Sequence, residues 1–173
     1  MNTSFDGRPV RLRVESGHIV LIDPLALDGL AEQLAAAGTL PVPELLSRLQ
    51  SLGQEGLRIG LRPLDDATPG IYEIGLDSFE AADHGDADPD VFETDSGAVV
   101  IIDGGALSAV GRALTWDRYD ALLQAPLDDD SVLTEIIEAV GGPRFAIVSA
   151  DADRSFSGDG AYRLRPDGLV LAR

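Results

Sequence analysis

Residues 16–27 read Ser-Gly-His-Ile-Val-Leu-Ile-Asp-Pro-Leu-Ala-Leu and residues 96–107 read Ser-Gly-Ala-Val-Val-Ile-Ile-Asp-Gly-Gly-Ala-Leu; the two align without a gap, with seven of twelve positions identical. Matches between branched aliphatics carry little weight, since many buried strands look alike. A shared Ser-Gly, a shared aspartate and a shared Ala-Leu in one register carry much more. Leu34 and Leu114 continue the same offset. A later pair of segments repeats with altered loop lengths. Arg58-Ile59-Gly60-Leu61 leads to Gly70-Ile71-Tyr72, and Arg144-Phe145-Ala146-Ile147 leads to Gly160-Ala161-Tyr162. A repeat of about eighty residues is too long for a solenoid and suits a duplicated subdomain.

The repeat restricts the fold to two copies of one unit. A chain of 173 residues can bury one sizeable core, roughly 70% of the unfolded surface, without a covalent staple. We read 1–173 as a single domain of two units, approximately 8–80 and 91–173, joined by an acidic linker at 81–90. In each unit an alternating strand (Val10 to Val14 in the first) meets a Ser-Gly turn and then an apolar strand ending at Asp23 or Asp103. Two runs split by a tight glycine turn predict a hairpin. Helices follow. Asp28 is placed to cap one through Ala37, and Pro43 to open another that ends by Gly53. In the second unit Thr115 caps Trp116 to Gln124, and Asp130 or Ser131 caps a helix over Val132 to Val140, stopped by Gly141-Gly142. Strands 57–61 with 71–76, then 144–148 with 161–165, close the units. The expected class is α+β, two tandem copies of a strand-hairpin/helix-pair/strand-pair unit with predominantly antiparallel sheet.

Chemistry is constrained by what is scarce. There are no cysteines, which removes disulfides, thiolate nucleophiles and cysteine metal sites. The two histidines are His18, whose counterpart in the repeat is Ala98, and His84 in the acidic linker. Neither supports a catalytic triad or a usual zinc ligand set. Asp151 to Asp159 places oxygen ligands at alternate positions. It departs from a calcium loop, however, with Phe156 at the sharp-turn position and Tyr162 at the bidentate carboxylate. Asp23 and Asp103 end equivalent strands. They read either as paired acids for acid/base work or, preferably, as caps on the following turn. No catalytic residue, metal site or cofactor is assigned.

Charge is the loudest global feature. Thirty acidic residues face thirteen basic ones, all arginine, for a formal net charge of −17. That field repels nucleic acid and anionic membrane and attracts cationic proteins. Genomic bias or salt adaptation would produce the same composition. No stretch of the chain approaches the apolar length of a membrane span, and Met1 to Arg13 has no apolar h-region, so a cytoplasmic location is expected.

Asp95-Ser96-Gly97 running to Asp103, together with Gly158-Asp159-Gly160-Ala161-Tyr162, resembles a bacterial family of unknown function. Its members carry an Asp-Ser-Gly strand ending in aspartate and a Gly-Asp-Gly-x-Tyr motif. Ser16-Gly17 to Asp23-Pro24 looks like that family's first element, whereas the aromatic residues that would flank the Gly-Asp-Gly are missing. The resemblance is to proteins associated with bacterial toxin systems and implies an immunity role. The resulting expectation is a non-enzymatic acidic protein that neutralises a basic toxin or nucleic-acid enzyme. Asp86, Asp88 and Asp90, and Asp128, Asp129 and Asp130, would contact the basic partner; oligomeric state is left open. The alternative is a carboxylate-based enzyme or calcium-dependent domain using Asp23, Asp103 or the Asp151–Asp159 loop.

Overall fold

The uninterrupted apolar runs at residues 19–22 and 98–102 carry no polar alternation, so both faces of their strands must be covered. In the computed structural model they lie side by side at the centre of the molecule. It describes residues 3–4, 9–37, 44, 58–63, 69–83, 85–126, 128–149 and 160–171. The described strands are β1 (Thr3–Ser4), β2 (Val10–Val14), β3 (His18–Ile22), β4 (Gly60–Pro63), β5 (Gly70–Ile74), β6 (Phe79–Ala82), β7 (Phe92–Thr94), β8 (Ala98–Asp103), β9 (Phe145–Ser149), β10 (Gly160–Leu164) and β11 (Val170–Leu171). The described α-helices of more than one residue are α1 (Leu27–Ala37), α2 (Leu107–Ala113), α3 (Trp116–Gln124) and α4 (Ser131–Val140).

Five strands form the central sheet in the order β1-β9-β8-β3-β4, antiparallel except for the β1–β9 pair. One face carries Val20, Ile22, Val100, Ile102, Phe145 and Ile147 into a core shared with the helices. The other carries Ile19, Leu21, Val99, Ile101, Ala146 and Val148 against two three-stranded sheets, β11-β5-β2 and β6-β10-β7. The architecture is α+β in three layers, with predominantly antiparallel pairing.

The register carries the repeat into space. Strand β3 pairs with β8 through Val20↔Ile102, Leu21↔Ile101 and Ile22↔Val100. An offset of 80 residues converts the first pair into the third and returns the middle pair to itself, as a twofold axis through Leu21 and Ile101 would. The flanking strands agree: Val20↔Leu61 matches Val100↔Ile147, and Leu12↔Tyr72 matches Phe92↔Tyr162. Burial along 21–30 and 101–110 is the same position by position. Tyr72 and Tyr162 therefore occupy corresponding places, as the sequence comparison expects.

The hairpin expected between Val10–Val14 and the following strand does not form. Strand β2 pairs with β5, and both hydrogen-bonding edges of β3 are taken by β4 and β8. The Ser16-Gly17 bend instead carries the chain from a small sheet to the central one. The last strand of each half is also exchanged. β6 follows β5 in sequence but pairs with β10, through Ala81↔Tyr162, while β11 follows β10 and pairs with β5, through Leu171↔Tyr72. Each half thus closes the small sheet of the other.

The helix boundaries follow local chemistry. The Thr115 hydroxyl accepts from the Arg118 amide at the start of α3, and Gly141, with φ of 80°, ends α4 in the left-handed conformation glycine tolerates. Two caps differ from expectation. Asp28 lies inside α1 and accepts from the Trp116 amide of α3 at 3.1 Å, tying two helices together. At α4 Asp130 stands at the N-cap position as expected, but its side chain makes no capping bond, and the Ser131 amide donates to Asp129. Of the helix expected from Pro43 to Gly53 only Glu44 is among the described residues, in helical conformation, and the Asp151–Asp159 loop and His84 lie outside them.

Candidate functional site: two crossed carboxylates and an acidic linker

An aspartate that ends a buried strand must find donors for its charge. Asp23 and Asp103 are 1% and 0% exposed, and each finds them in the opposite half. Asp103 Oδ1 accepts from the Ser16 amide at 3.1 Å and from the Ser16 hydroxyl, and Oδ2 accepts from the Glu15 amide at 3.2 Å. In the mirrored arrangement Asp23 Oδ2 accepts from the amides of Asp95 at 2.5 Å and Ser96 at 3.2 Å, and Oδ1 from the Ser96 hydroxyl at 2.8 Å. These donors are the N–H and hydroxyl groups of the two Ser-Gly bends, which lie between strands rather than within them. Gly97, with φ of 74°, allows the second bend to turn tightly.

The two corners differ in their fourth partner. Arg144 donates Nε at 3.1 Å and Nη2 at 2.8 Å to Asp103 Oδ2, with Glu15 nearby at 3.7 Å. Burial, the largest influence, pushes the Asp103 carboxyl up. The Ser16 hydroxyl, Arg144 and the amides of Ser16 and Glu15 outweigh it and hold it below the ordinary carboxylate range. Asp23 has no arginine among the described residues; its Oδ1 accepts the Leu25 amide at 2.8 Å and caps the short turn before α1. One difference lies two residues past the aspartate. A Cβ at Gly105 would stand 2.8 Å from Arg144 Nη2, so a side chain there would push the guanidinium from its present place. Its counterpart in the first half is Leu25, and Arg58, the counterpart of Arg144, points elsewhere. Tyr119 lies close to the first corner; its burial and the Asp23 charge push the phenol up to about 12.

Arg58 donates to the backbone carbonyls of Asp86 and Asp88 in the linker. Arg163 donates to Asp86 and Asp88 at 2.7 Å each and lies 3.6 Å from Glu80, while Arg62 meets Asp90 at 3.2 Å. The Asp86 carboxyl is drawn below its ordinary value, first by the Asp88 amide and then, against some burial, by Arg163 and Arg58. Asp86, Asp88 and Asp90 are therefore brought together, but on arginines of the same chain. Asp128, Asp129 and Asp130 stand apart from them, exposed between α3 and α4, with Asp129 engaged at the helix start.

As acid/base candidates Asp23 and Asp103 are poorly placed: both oxygens of each are occupied by donors of the fold, and both side chains are closed off from solvent. Among the described residues no group of three or more histidine, cysteine or carboxylate side chains is arranged to hold a metal ion. No described helix is long and apolar enough to cross a membrane. Sequence reasoning missed Arg144 and Gly105 at the Asp103 corner. Their signal was present in the repeat, where glycine replaces leucine, but its meaning depends on contacts between distant segments. Comparison with protein-family models, curated proteins and solved structures finds no match to this chain.

Proposed function

We propose that this chain is a duplicated, non-enzymatic binding protein that presents an acidic face to a basic protein, in the manner of an immunity or inhibitor protein. One observation carries the reading. The carboxylates with the burial needed for acid/base chemistry, Asp23 and Asp103, are consumed in joining the halves, while much of the remaining charge stays on the surface. The linker acids are partly neutralised by Arg62 and Arg163. By contrast Asp117, Asp120, Asp128, Asp129, Asp130 and Glu138 lie along α3, the following loop and α4, all of them exposed. Arg118 and Glu135 bridge the two helices at 3.2 Å and hold this face together. A cationic partner would be drawn to it at long range, with the charge acting mainly on association rate. The duplication is supported by the matching registers and burial of the two halves, and the immunity role by the resemblance described above.

The test begins with crosslinking to identify the bound protein in the native host, followed by stopped-flow association at several salt concentrations. Replacing Asp128, Asp129 and Asp130 together by asparagine slows association at low salt, and the deficit closes as the Debye length shrinks from about 10 Å at 0.1 M to about 3 Å at 1 M. The corresponding triple replacement of Asp86, Asp88 and Asp90 has the smaller effect. Equal rates for the wild type and both variants would remove the electrostatic mechanism. A partner without a basic surface would remove the reading itself.

A further inference from the structure

The exchange of β6 and β11 and the crossed carboxylates mean that almost every contact between the halves is one a second copy of the chain also offers. The geometry points to a second assembly of this protein: a closed twofold dimer in which the first half of each copy is completed by the second half of the other. The exchanged form would rebuild the β3–β8 pair, the β6–β10 and β11–β5 pairs, and both aspartate corners. Only the connection between Ala82 and Phe92 would follow a different path. A closed isologous interface of this kind adds no open-ended surface.

That connection decides between the forms. Strands β6 and β7 flank β10, so their ends are two strand spacings apart, roughly 10 Å. Ala82 is level with Ala161 and Phe92 with Tyr162, so the linker must pass around β10 from one edge to the other. It is fastened on both sides, to Arg58 and Arg62 of the first half and to Arg163 of the second. The Leu61 amide also donates to the Pro89 carbonyl at 2.8 Å. With this length the halves of one copy meet at high effective concentration and the monomer is favoured in dilute solution. Shortening the linker until it cannot round β10 leaves exchange as the only way to pair the same strands. Refolding at high protein concentration has the same effect in part, because halves then meet those of other copies.

Two experiments test this. Deleting residues 84–90 leaves two residues between Ala82 and Phe92; the variant is expected to elute at twice the mass of its own chain by light scattering, with native circular dichroism. A folded, monomeric deletion variant overturns the proposal. The second uses the full-length chain, whose lack of cysteine gives a clean background. Val170 lies opposite Glu73 in the β11–β5 pair, Val170 exposed and Glu73 partly so. E73C in one population and V170C in another are co-refolded at high concentration, and a disulfide-linked heterodimer is expected. It should be absent when the two are folded separately and then mixed. The double variant E73C/V170C, refolded dilute, closes within the monomer and shows that the pair has disulfide geometry. If it closes and the co-refolded mixture gives no covalent heterodimer, the exchanged assembly does not exist, whether or not the deletion variant folds.

Discussion

At the Asp103 corner a carboxylate takes amides and a hydroxyl from the opposite half and a guanidinium from its own; at the Asp23 corner the same cross-half bonds form without the guanidinium. The first is a buried ion pair within a hydrogen-bonded network, the second a hydrogen-bonded anion that also caps a turn. The two halves therefore hold together by unequal means. Gly105 leaves room for Arg144 beside Asp103, Leu25 holds the equivalent position in the first half, and Arg58 is engaged by the linker instead.

The largest effect is expected at the ion pair. Asp103→Ala leaves Arg144 and the amides of Glu15 and Ser16 without their acceptor, and breaking such a buried pair costs about 3–5 kcal/mol. Asp23→Ala strands only neutral donors and should cost less, about 2 kcal/mol. Equal losses in urea melts would erase the difference between the corners.

Acid sharpens the same contrast. The Asp103 carboxyl titrates below its unfolded value, so its contribution is complete above the ordinary aspartate pKa near 3.9 and is lost as pH falls through the lower folded value. Stability of the wild type should therefore fall below about pH 4 more steeply than that of Asp103→Asn, which has no such proton to take up. Identical slopes for the two proteins in that window would show that Asp103 is not held as described.

Exchanging the deciding position gives smaller, opposite tests. Gly105→Leu displaces the Arg144 guanidinium and should cost about 2 kcal/mol. Leu25→Gly removes an exposed side chain, and Arg58 remains on the carbonyls of Asp86 and Asp88, so the change should stay below about 1 kcal/mol. A loss from Gly105→Leu no larger than that from Leu25→Gly would mean that Gly105 does not matter to the Asp103 corner.

The parts of this structure legible in the sequence were those encoded locally or by repetition. The repeat places Ser16 with Ser96 and Tyr72 with Tyr162, and the apolar runs of β3 and β8 mark doubly covered strands. Thr115 and Gly141 mark helix ends through their own chemistry. Pairing partners were not legible. A Ser-Gly bend between two extended runs looks the same whether they pair with each other or enter different sheets. The outcome depends on β5, β4 and β8, which compete for those edges from far along the chain. Asp23 was readable as a cap because its turn is adjacent, but its bonds to Asp95 and Ser96 span more than seventy residues. The linker acids were readable as a charge cluster. That Arg58, Arg62 and Arg163 would converge on them follows only from the register of β4 and β10.

Each half of the molecule is completed by the other rather than folded beside it. Inserting a protease site after the exposed Ala87 and cutting the folded, full-length protein there tests this directly. If the halves complete each other, the cut protein elutes as one species of unchanged mass under native conditions and melts in a single transition that now depends on concentration. Two fragments that separate on the column, each keeping its own circular dichroism and its own melt, would contradict the account.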